Sequence, residues 1–276
     1  MSTNIAQNLE KLFSLEDKVI VLTGAAGGIG SALAGGFASA GASMALCDVN
    51  VPGLNHLSDQ IQTDGGQARS YPLDLTDVNS IKECVDAVMA DYGRIDVLVN
   101  CAGINVREGF LDVEESTYDR IMNINLKGLY FISQETARHM IKVKKGNILN
   151  IASHNSVGML GGCSVYGATK SAVAALTRSM AVEWAKHGIR ANALAPGHIL
   201  TSLTTVTWEH PQRSKYLRER IAMERPGTPE ELVGIAIMLV SDSSSYITGS
   251  MMHVDGGCLA GGAPWPFDTR YEPCDD

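Results

Sequence analysis

The sequence lacks the cysteine and histidine patterns of a disulfide-stabilised or metal-binding protein. Its six cysteines form no CxxC pair, and no histidines and cysteines have metal-ligand spacing along the chain. The cysteines are therefore predicted to be free thiols in a reducing compartment, the cytoplasm. No metal site is predicted.

Long apolar runs and a surplus of positive charge are also missing. No segment approaches the ~18 uninterrupted apolar residues of a membrane span. The first residues lack the basic start and the apolar run of a secretory signal. The formal net charge of −8 argues against nucleic acid or an anionic membrane as the main partner. The predicted partner is a small molecule.

The chain does contain a regular alternation of short apolar runs and helical patterns. Strands are predicted at 18–24, 43–49, 68–72, 95–103, 146–153, 189–197 and 250–257. Helices are predicted near 30–42, 53–64, 77–92, 114–143, 164–187 and 229–241. This alternation predicts right-handed crossovers and a parallel sheet with helices on both faces. The fold class is therefore predicted to be α/β: a single-domain Rossmann fold over 1–276, with a doubly wound sheet of about seven strands.

Three segments fall outside this alternation. Residues 1–16 are an N-terminal extension, predicted to be a short amphipathic helix packed on the body or on a neighbouring subunit. Residues 198–228 are polar, basic in their middle and follow a strand end, which predicts a substrate lid whose Trp208 and Tyr216 close over the substrate. Residues 258–276 are a C-terminal tail with aromatic residues, expected to pack back, with a neighbour's active site as a candidate location.

A glycine-rich segment, TGAAGGIG at 23–30, joins the first predicted strand to the next helix. Gly24, Gly28 and Gly30 allow the turn and leave room for a pyrophosphate at the helix N-terminus. Asp48 ends the next strand, where a carboxylate accepts hydrogen bonds from both adenosine ribose hydroxyls and opposes a 2′-phosphate. No Arg or Lys lies in the loop or beside Asp48 in the sequence. The predicted cofactor is NAD; the alternative is that Asp48 only caps a turn.

Further cofactor candidates follow the third and fourth strands. Asp74 is placed where an adenine would lie, and its alternative role is a helix cap. Asn100, Ala102 and Gly103 end the fourth strand, where small residues let the backbone run close to a flat ligand. Their alternative role is an ordinary tight turn.

The stretch SHNSVGMLGGCSVYGATK at 153–170 contains three chemically active side chains. Tyr166 and Lys170 are at i and i+4, so they share one helix face. A phenol has a pKa near 10, and a nearby ammonium and a positively charged nicotinamide both favour the phenolate. Tyr166 could therefore exchange a proton with an alcohol or a carbonyl near neutral pH, while Ser153 holds the substrate oxygen. Taken alone, a Tyr-x-x-x-Lys pair is mostly a solvated helix face.

Together these motifs resemble the short-chain dehydrogenase/reductase family, in order and in spacing, over about 17–257. TGAAGGIG matches the family's TGxxxGxG, and NCAG at 100–103 matches its NNAG with Cys101 in place of the second Asn. NINLKG, NIAS, YGATK and PGHILT match its segments for the catalytic Asn, the Ser, the YxxxK pair and the nicotinamide side. The change at Cys101 is expected to matter little, because the family's backbone there contacts the cofactor more than that side chain does.

The resemblance implies a role for each matched residue. Tyr166 is the general acid/base, and Lys170 lowers its pKa and binds the nicotinamide ribose. Ser153 positions the substrate oxygen, and Asn125 holds a water that links Lys170 to solvent. Thr201 meets the carboxamide. The implied cofactor-binding residues are Gly24, Gly28, Ile29, Gly30, Asp48, Asp74, Leu75, Asn100, Ala102, Gly103, Tyr166, Lys170, Pro196, Gly197, Ile199 and Thr201. The resemblance also implies a homotetramer.

Hydrogen-bonding residues dominate the positions predicted to face the substrate, which are Asn105, Arg107, His154, Asn155 and His198, with Ser156 beside them. They favour a small polar secondary alcohol or its ketone, such as a sugar alcohol or sugar acid, over a steroid or an acyl chain. Arg107 is either a partner for a substrate carboxylate or a solvated arginine. For His154 and Asn155 the alternative is turn capping.

The predicted function is an NAD-dependent oxidoreductase that transfers a hydride between nicotinamide and such a substrate. A 3-oxoacyl-carrier-protein reductase is an alternative, although it would usually need a 2′-phosphate site and a basic docking surface. Asp48 and the net charge of −8 count against it. A non-catalytic dinucleotide-binding protein is the other alternative. It would be expected to lack the Ser, Tyr or Lys, and all three are present.

Overall fold

One parallel sheet organises the computed structural model, which describes residues 5–202 and 204–262. Its strands are β1 (Val19–Thr23), β2 (Ser43–Asp48), β3 (Gln67–Pro72), β4 (Val97–Asn100), β5 (Gly146–Ile151), β6 (Ile189–Pro196) and β7 (Met251–Val254). The strand order is β3-β2-β1-β4-β5-β6-β7, and every neighbouring pair is parallel. The order reverses direction between β1 and β4, which opens a crevice at the carboxyl ends of the strands.

Helices cover both faces of this sheet. Those described are α1 (Ile5–Phe13), α2 (Gly28–Ser39), α3 (Val51–Thr63), α4 (Val78–Tyr92), α5 (Glu115–Met122), α6 (Leu129–Val143), α7 (Ser164–Trp184), α8 (Thr205–Glu209), α9 (Pro211–Arg218) and α10 (Val233–Val240). A π-helical segment, Asn123–Gly128, joins α5 to α6. Short 3-10 helices lie at His154–Ser156, Ala185–His187, Pro229–Leu232 and Asp242–Ser244.

The apolar runs of the sequence form strands because both faces of the sheet are buried. In β1, Val19 and Val21 join the hydrophobic core on one face, and Ile20 and Leu22 join the core on the other. A strand between two helical layers needs apolar side chains at every position, not only at alternate ones. The predicted α/β fold, a parallel sheet of seven strands with helices around it, is confirmed. A single domain over 1–276 stays a prediction.

The terminal segments are described in part. Helix α1 of the N-terminal extension leaves Leu9 and Leu12 exposed by 52% and 43%, so an apolar stripe faces outward from the single chain. Its contact with a neighbouring subunit stays a prediction. Of the C-terminal tail, residues 263–276 lie outside the described residues. Among the described residues, no helix combines the length and the apolar character needed to cross a membrane.

Candidate active site

Two adjoining cavities open at the carboxyl ends of the strands. The first, of about 300 Å³, lies over the glycine-rich loop and the ends of β2 and β3. The second, of about 470 Å³, lies over the ends of β5 and β6 and beneath the lid. They meet at five lining residues that both share: Ile29, Cys101, Gly103, Ile104 and Thr201. The arrangement suits a long ligand that lies in the first cavity and touches, at its end, a smaller ligand in the second cavity.

The glycine-rich loop gives the first cavity a floor of backbone amides. Gly24 has a φ of +67°, which L side chains rarely adopt, and a Cβ on Gly30 would overlap the carbonyl oxygen of Gly24. Helix α2 begins at Gly28, and its N-cap residue, Gly27, has no side chain to occupy the first N–H groups. These free amides at the positive end of a helix dipole fit the pyrophosphate of a dinucleotide.

Asp48 lies at the edge of this cavity, where its carboxylate is held by two backbone amides. Oδ2 accepts a hydrogen bond from the N–H of Ala26 at 3.1 Å, and Oδ1 accepts from Asn50 at 3.0 Å. The first bond connects the carboxylate to the glycine-rich loop. Asp48 thus has a turn-stabilising contact as well as the position expected for a ribose acceptor.

Asp74 lies at the first cavity but does not cap the helix that follows, α4. It lines the first cavity, and its Oδ1 accepts hydrogen bonds from the backbone N–H and the hydroxyl of Thr76, at 2.8 and 2.7 Å. The N-cap of α4 is instead Asp77, which accepts from Asn79. The carboxylate of Asp74 is therefore committed to a local turn beside the adenine end of the cavity.

The three catalytic candidates Ser153, Tyr166 and Lys170 all line the second cavity. Lys170 is only 4% exposed, and its Nζ donates a hydrogen bond to the carbonyl of Ile151 at 2.6 Å. The same Nζ lies 5.7 Å from the centre of the Tyr166 ring. Helix α7 therefore presents the phenol and the ammonium on one face toward the end of β5, as the i, i+4 spacing predicts.

Asn125 lies in the π-helical segment, a feature that often marks functional sites. Its Nδ2 donates to the carbonyl of Ile104 and its Oδ1 accepts from the N–H of Ile104, both at 2.8 Å. A Cβ on Gly103 would lie 3.4 Å from Oδ1 of Asn125 and 3.5 Å from Nζ of Lys170. Asn125 therefore fixes the loop after β4 beside Lys170, and its predicted water stays a prediction.

The side chain of Asn100 points away from the cofactor cavity, and the predicted contact of its backbone with the cofactor stays a prediction. Its Nδ2 donates to Oγ of Ser133 at 2.9 Å and to Oδ1 of Asn150 at 2.8 Å. Asn100 lines neither of the two cavities and is 3% exposed. The amide side chain joins β4 to β5 and α6 because it points into the core at the last residue of its strand.

The other predicted cofactor residues all line one or both of the two cavities. Both cavities together are lined by Gly24, Gly28, Ile29, Gly30, Asp48, Asp74, Leu75, Ala102, Gly103, Tyr166, Lys170, Pro196, Gly197, Ile199 and Thr201. Thr201 also packs on the glycine-rich loop, since a Cβ on Gly28 would lie 3.1 Å from its Cβ. The start of the lid is thereby held against the dinucleotide-binding loop.

All five predicted substrate residues, Asn105, Arg107, His154, Asn155 and His198, line the second cavity. The turn here is capped by Ser153, whose Oγ accepts a hydrogen bond from the N–H of Asn155 at 3.1 Å, and not by the side chain of Asn155. Ser156 is not part of the lining; its Oγ donates to the carbonyl of Lys170 at 2.8 Å and holds α7 in place.

The lid contributes one predicted aromatic residue and one residue that the sequence reading missed. Trp208 lines the second cavity, with its ring 6.3 Å from that of His198. Tyr216 does not line it; its ring packs on the guanidinium of Arg220 at 3.5 Å, which corrects its predicted role. Arg213 of α9 does line the cavity. The basic middle of the lid was the signal for Arg213, but the sequence could not show which residue faces inward.

A comparison with known proteins agrees with this geometry. A family model described as enoyl-(acyl carrier protein) reductase matches residues 24–258. The 2-dehydro-3-deoxy-D-gluconate 5-dehydrogenase of Escherichia coli (strain K12) is 40% identical over 251 residues, which cover 90% of this chain and 98% of that protein. The chain belongs to the short-chain dehydrogenase/reductase family. The family assignment made from the motifs is therefore confirmed.

Other members of the short-chain dehydrogenase/reductase family are also similar in sequence or structure. The 3-oxoacyl-(acyl-carrier-protein) reductase of Thermotoga maritima is 40% identical over 247 residues, covering 89% of this chain and 99% of that protein. The crystal structure of a gluconate 5-dehydrogenase from Burkholderia cenocepacia J2315, in complex with NADP and tartrate, has a TM-score of 0.89 at 35% identity. The structural match covers 92% of this chain and 99% of the Burkholderia chain. The protein is thus an oxidoreductase of this family.

In this short-chain dehydrogenase/reductase, burial controls the acid–base groups. It lowers the pKa of Lys170 to about 8 and raises the pKa of Tyr166, although the Ser153 hydroxyl opposes the second shift. The expected lowering of the Tyr166 pKa by Lys170 is not found in the protein alone, because desolvation of the phenolate outweighs other influences. The charge of an oxidised nicotinamide is the contribution that a bound cofactor would add.

Proposed function

We propose that the protein is an NAD-dependent dehydrogenase/reductase for a small polyhydroxy acid, acting on a secondary alcohol or its ketone. The observation that carries the proposal is the lining of the second cavity. Beside Ser153 and Tyr166 this cavity has hydrogen-bonding side chains and two guanidinium groups, from Arg107 and Arg213. In a chain of net charge −8, two arginines on one cavity, in addition to the catalytic Lys170, favour an anionic substrate.

Two of the similar proteins support a hydroxy-acid substrate. The relative from Escherichia coli is named for a deoxygluconate derivative, and the Burkholderia structure contains tartrate. Hydroxyl groups of such a substrate can bond to Asn105, His154 and His198, and its C–H face can pack on Trp208. A neutral sugar alcohol of the same size would use the same contacts without the arginines.

The catalytic step proposed for this chain is a proton transfer at the Tyr166 oxygen. Ser153 holds the substrate oxygen, and Tyr166 takes the hydroxyl proton in oxidation or returns it in reduction. Lys170 supplies an ammonium next to the phenol and a donor for the nicotinamide ribose. The bound nicotinamide accepts or donates the hydride.

The preference for NAD over NADP is proposed from the charges of the first cavity. Its lining within the described residues includes two carboxylates, Asp48 and Asp74, and neither lysine nor arginine. A 2′-phosphate would lie near Asp48 without a cation to neutralise it. NADP in the Burkholderia gluconate 5-dehydrogenase shows that cofactor choice varies among similar proteins, so this preference needs its own measurement.

A substrate panel tests the proposed function. kcat/KM should be measured with NAD and NADP for D-gluconate, a 5-keto sugar acid, D-threitol, a hydrophobic ketone and an acetoacetyl thioester. The proposal predicts the highest kcat/KM for a sugar acid with NAD or NADH. Preference for the acetoacetyl thioester with NADPH would instead favour the 3-oxoacyl-carrier-protein reductase, whose Thermotoga maritima member is 40% identical to this chain. No turnover of any carbonyl or alcohol would favour the non-catalytic alternative.

A further inference from the structure

Two histidines and a cysteine from distant parts of the chain converge at the wall of the second cavity. His154 follows β5, His198 follows β6, and Cys258 lies in the turn after β7. One potential ligand atom of each lies within 4.8 Å of those of the other two. The prediction of no metal site rested on spacing along the chain, which could not reveal a site assembled from three strand ends.

His154 has an unused nitrogen in this cluster. The residue is 8% exposed, and its Nδ1 is buried without a hydrogen-bond partner. Buried polar atoms are almost always paired, so this nitrogen is available either to the neighbouring side chain of Asn155 or to a ligand. The ring of His198 lies 4.6 Å from that of His154, at 78° to it, and burial lowers the pKa of both histidines.

The turn that carries Cys258 is held by its own hydrogen bonds. The carboxylate of Asp255 accepts from the N–H of Gly257 at 3.0 Å and from the N–H of Leu259 at 2.9 Å. Gly256 and Gly257 have φ values of +62° and +82°, so the turn depends on their lack of side chains. The thiol is thereby fixed on the side of the two imidazoles.

We propose that His154, His198 and Cys258 bind a zinc-class divalent cation. Two imidazoles and one thiolate are ligands that zinc prefers over magnesium or calcium. Zn–N and Zn–S bonds of about 2.0–2.3 Å in a tetrahedral site separate the ligand atoms by roughly 3.3–3.8 Å. The ligand atoms of the three residues lie within 4.8 Å of one another, so side-chain adjustments of at most about 1–1.5 Å would bring them to these separations.

Three protein ligands leave one position of a tetrahedral site open. Because His154 and His198 both line the second cavity, that position faces the substrate. A hydroxyl or carboxylate oxygen of a polyhydroxy acid is a suitable fourth ligand. This last step rests on the proposed function, whereas the metal site itself does not.

Metal binding to the untagged, full-length protein tests the site. After removal of metal with a chelator, Zn²⁺ is titrated against a competing indicator, and Co²⁺ binding is followed by its thiolate-to-cobalt absorption. We expect one Zn²⁺ per chain and a loss of affinity of roughly 100-fold or more in Cys258→Ala, since even outer-shell changes cost 10- to 100-fold. Cys258→His should retain Zn²⁺ but lose the thiolate absorption.

The matched control is Cys84→Ala, which removes a thiol that is buried away from the cavity. It should bind Zn²⁺ as the unaltered protein does. Equal Zn²⁺ affinity in the unaltered protein and in Cys258→Ala would overturn the proposal, and so would the absence of stoichiometric binding.

Addition of D-gluconate to the cobalt-loaded protein tests the fourth ligand. The visible cobalt bands should shift if a substrate oxygen enters the open position. Unchanged bands would overturn substrate ligation while leaving the metal site in place. The proposed function is tested separately, by assaying the substrate panel with the protein without added metal. Failure to turn over any sugar acid in that assay would count against the proposed function and not against the metal site.

Discussion

Removal of the Asp48 carboxylate is expected to weaken NAD binding and to reduce the preference over NADP. In Asp48→Ala the ribose loses an acceptor, and the N–H groups of Ala26 and Asn50 lose theirs. A hydrogen bond to a charged group contributes about 1.5–3 kcal/mol. Since about 1.4 kcal/mol corresponds to a factor of ten, the Kd for NADH should rise roughly 10- to 100-fold.

The same change should improve NADPH binding, because the carboxylate no longer repels the 2′-phosphate. The ratio of the Kd for NADPH to the Kd for NADH should therefore fall by a larger factor than the factor by which the Kd for NADH rises. Fluorescence titration of both reduced cofactors measures this, and thermal denaturation verifies that the variant is folded.

Asp74→Ala is the matched control, because it removes an equal charge from the same cavity. Asp74 is predicted to lie beside the adenine and not beside the ribose 2′ position, so the ratio of NADH to NADPH affinity should change much less than in Asp48→Ala. The reasoning is refuted if the unaltered protein binds NADPH as tightly as NADH, or if the two variants change the ratio equally.

Three further predictions concern the ammonium, the lid and the assembly. Burial lowers the pKa of Lys170 to about 8, so its ammonium is lost as the pH rises through that value. The affinity for NADH should therefore be lower at pH 9 than at pH 7. Lys170→Met should abolish this pH dependence. Arg213→Ala should raise KM for D-gluconate up to roughly fivefold, which is the effect of losing an exposed ion pair, and should leave KM for D-threitol unchanged. The control Lys215→Ala, also in the lid, should change neither KM. An equal rise of KM for both substrates would contradict this prediction. Light scattering should give a homotetramer, supported by the exposed Tyr130 and Val182 on α6 and α7, at 45% and 81%; a monomer at micromolar concentration would contradict it.

The elements of the fold could be predicted from the sequence because both faces of the sheet are buried. The run 19–22 is apolar at every position, and it ends at Thr23 and Gly24 beside the first cavity. The helix predicted at 114–143 differs, since Asn123–Gly128 is π-helical. Its side-chain pattern still fits a helix, and within the π-helical segment Asn125 contacts the loop after β4.

The residues of the candidate site could be predicted where a sequence motif determines both the residue type and its position in the fold. The glycine-rich loop, Ser153, Tyr166 and Lys170 belong to this class. Lid residues such as Tyr216 and Arg213 could not be assigned, because a short amphipathic helix in a polar insertion can turn either face inward. Their orientation depends on packing with distant parts of the chain, which no local pattern records.

The convergence of His154, His198 and Cys258 was also beyond prediction. Each residue follows a different strand, and their proximity depends on strand order and on the turn held by Asp255. The raised pKa of Tyr166 belongs to the same class, because burial is a property of the folded protein.

The measurement that tests the central claim most directly is hydride transfer by Tyr166→Phe, with NADH binding measured on the same preparation. The phenol oxygen is proposed to carry the substrate proton, while the ring mainly contributes packing. The account predicts NADH affinity within a few-fold of that of the unaltered protein and a fall in kcat of about two to four orders of magnitude for the best substrate of the panel. Substantial turnover by the folded Tyr166→Phe protein would contradict the account.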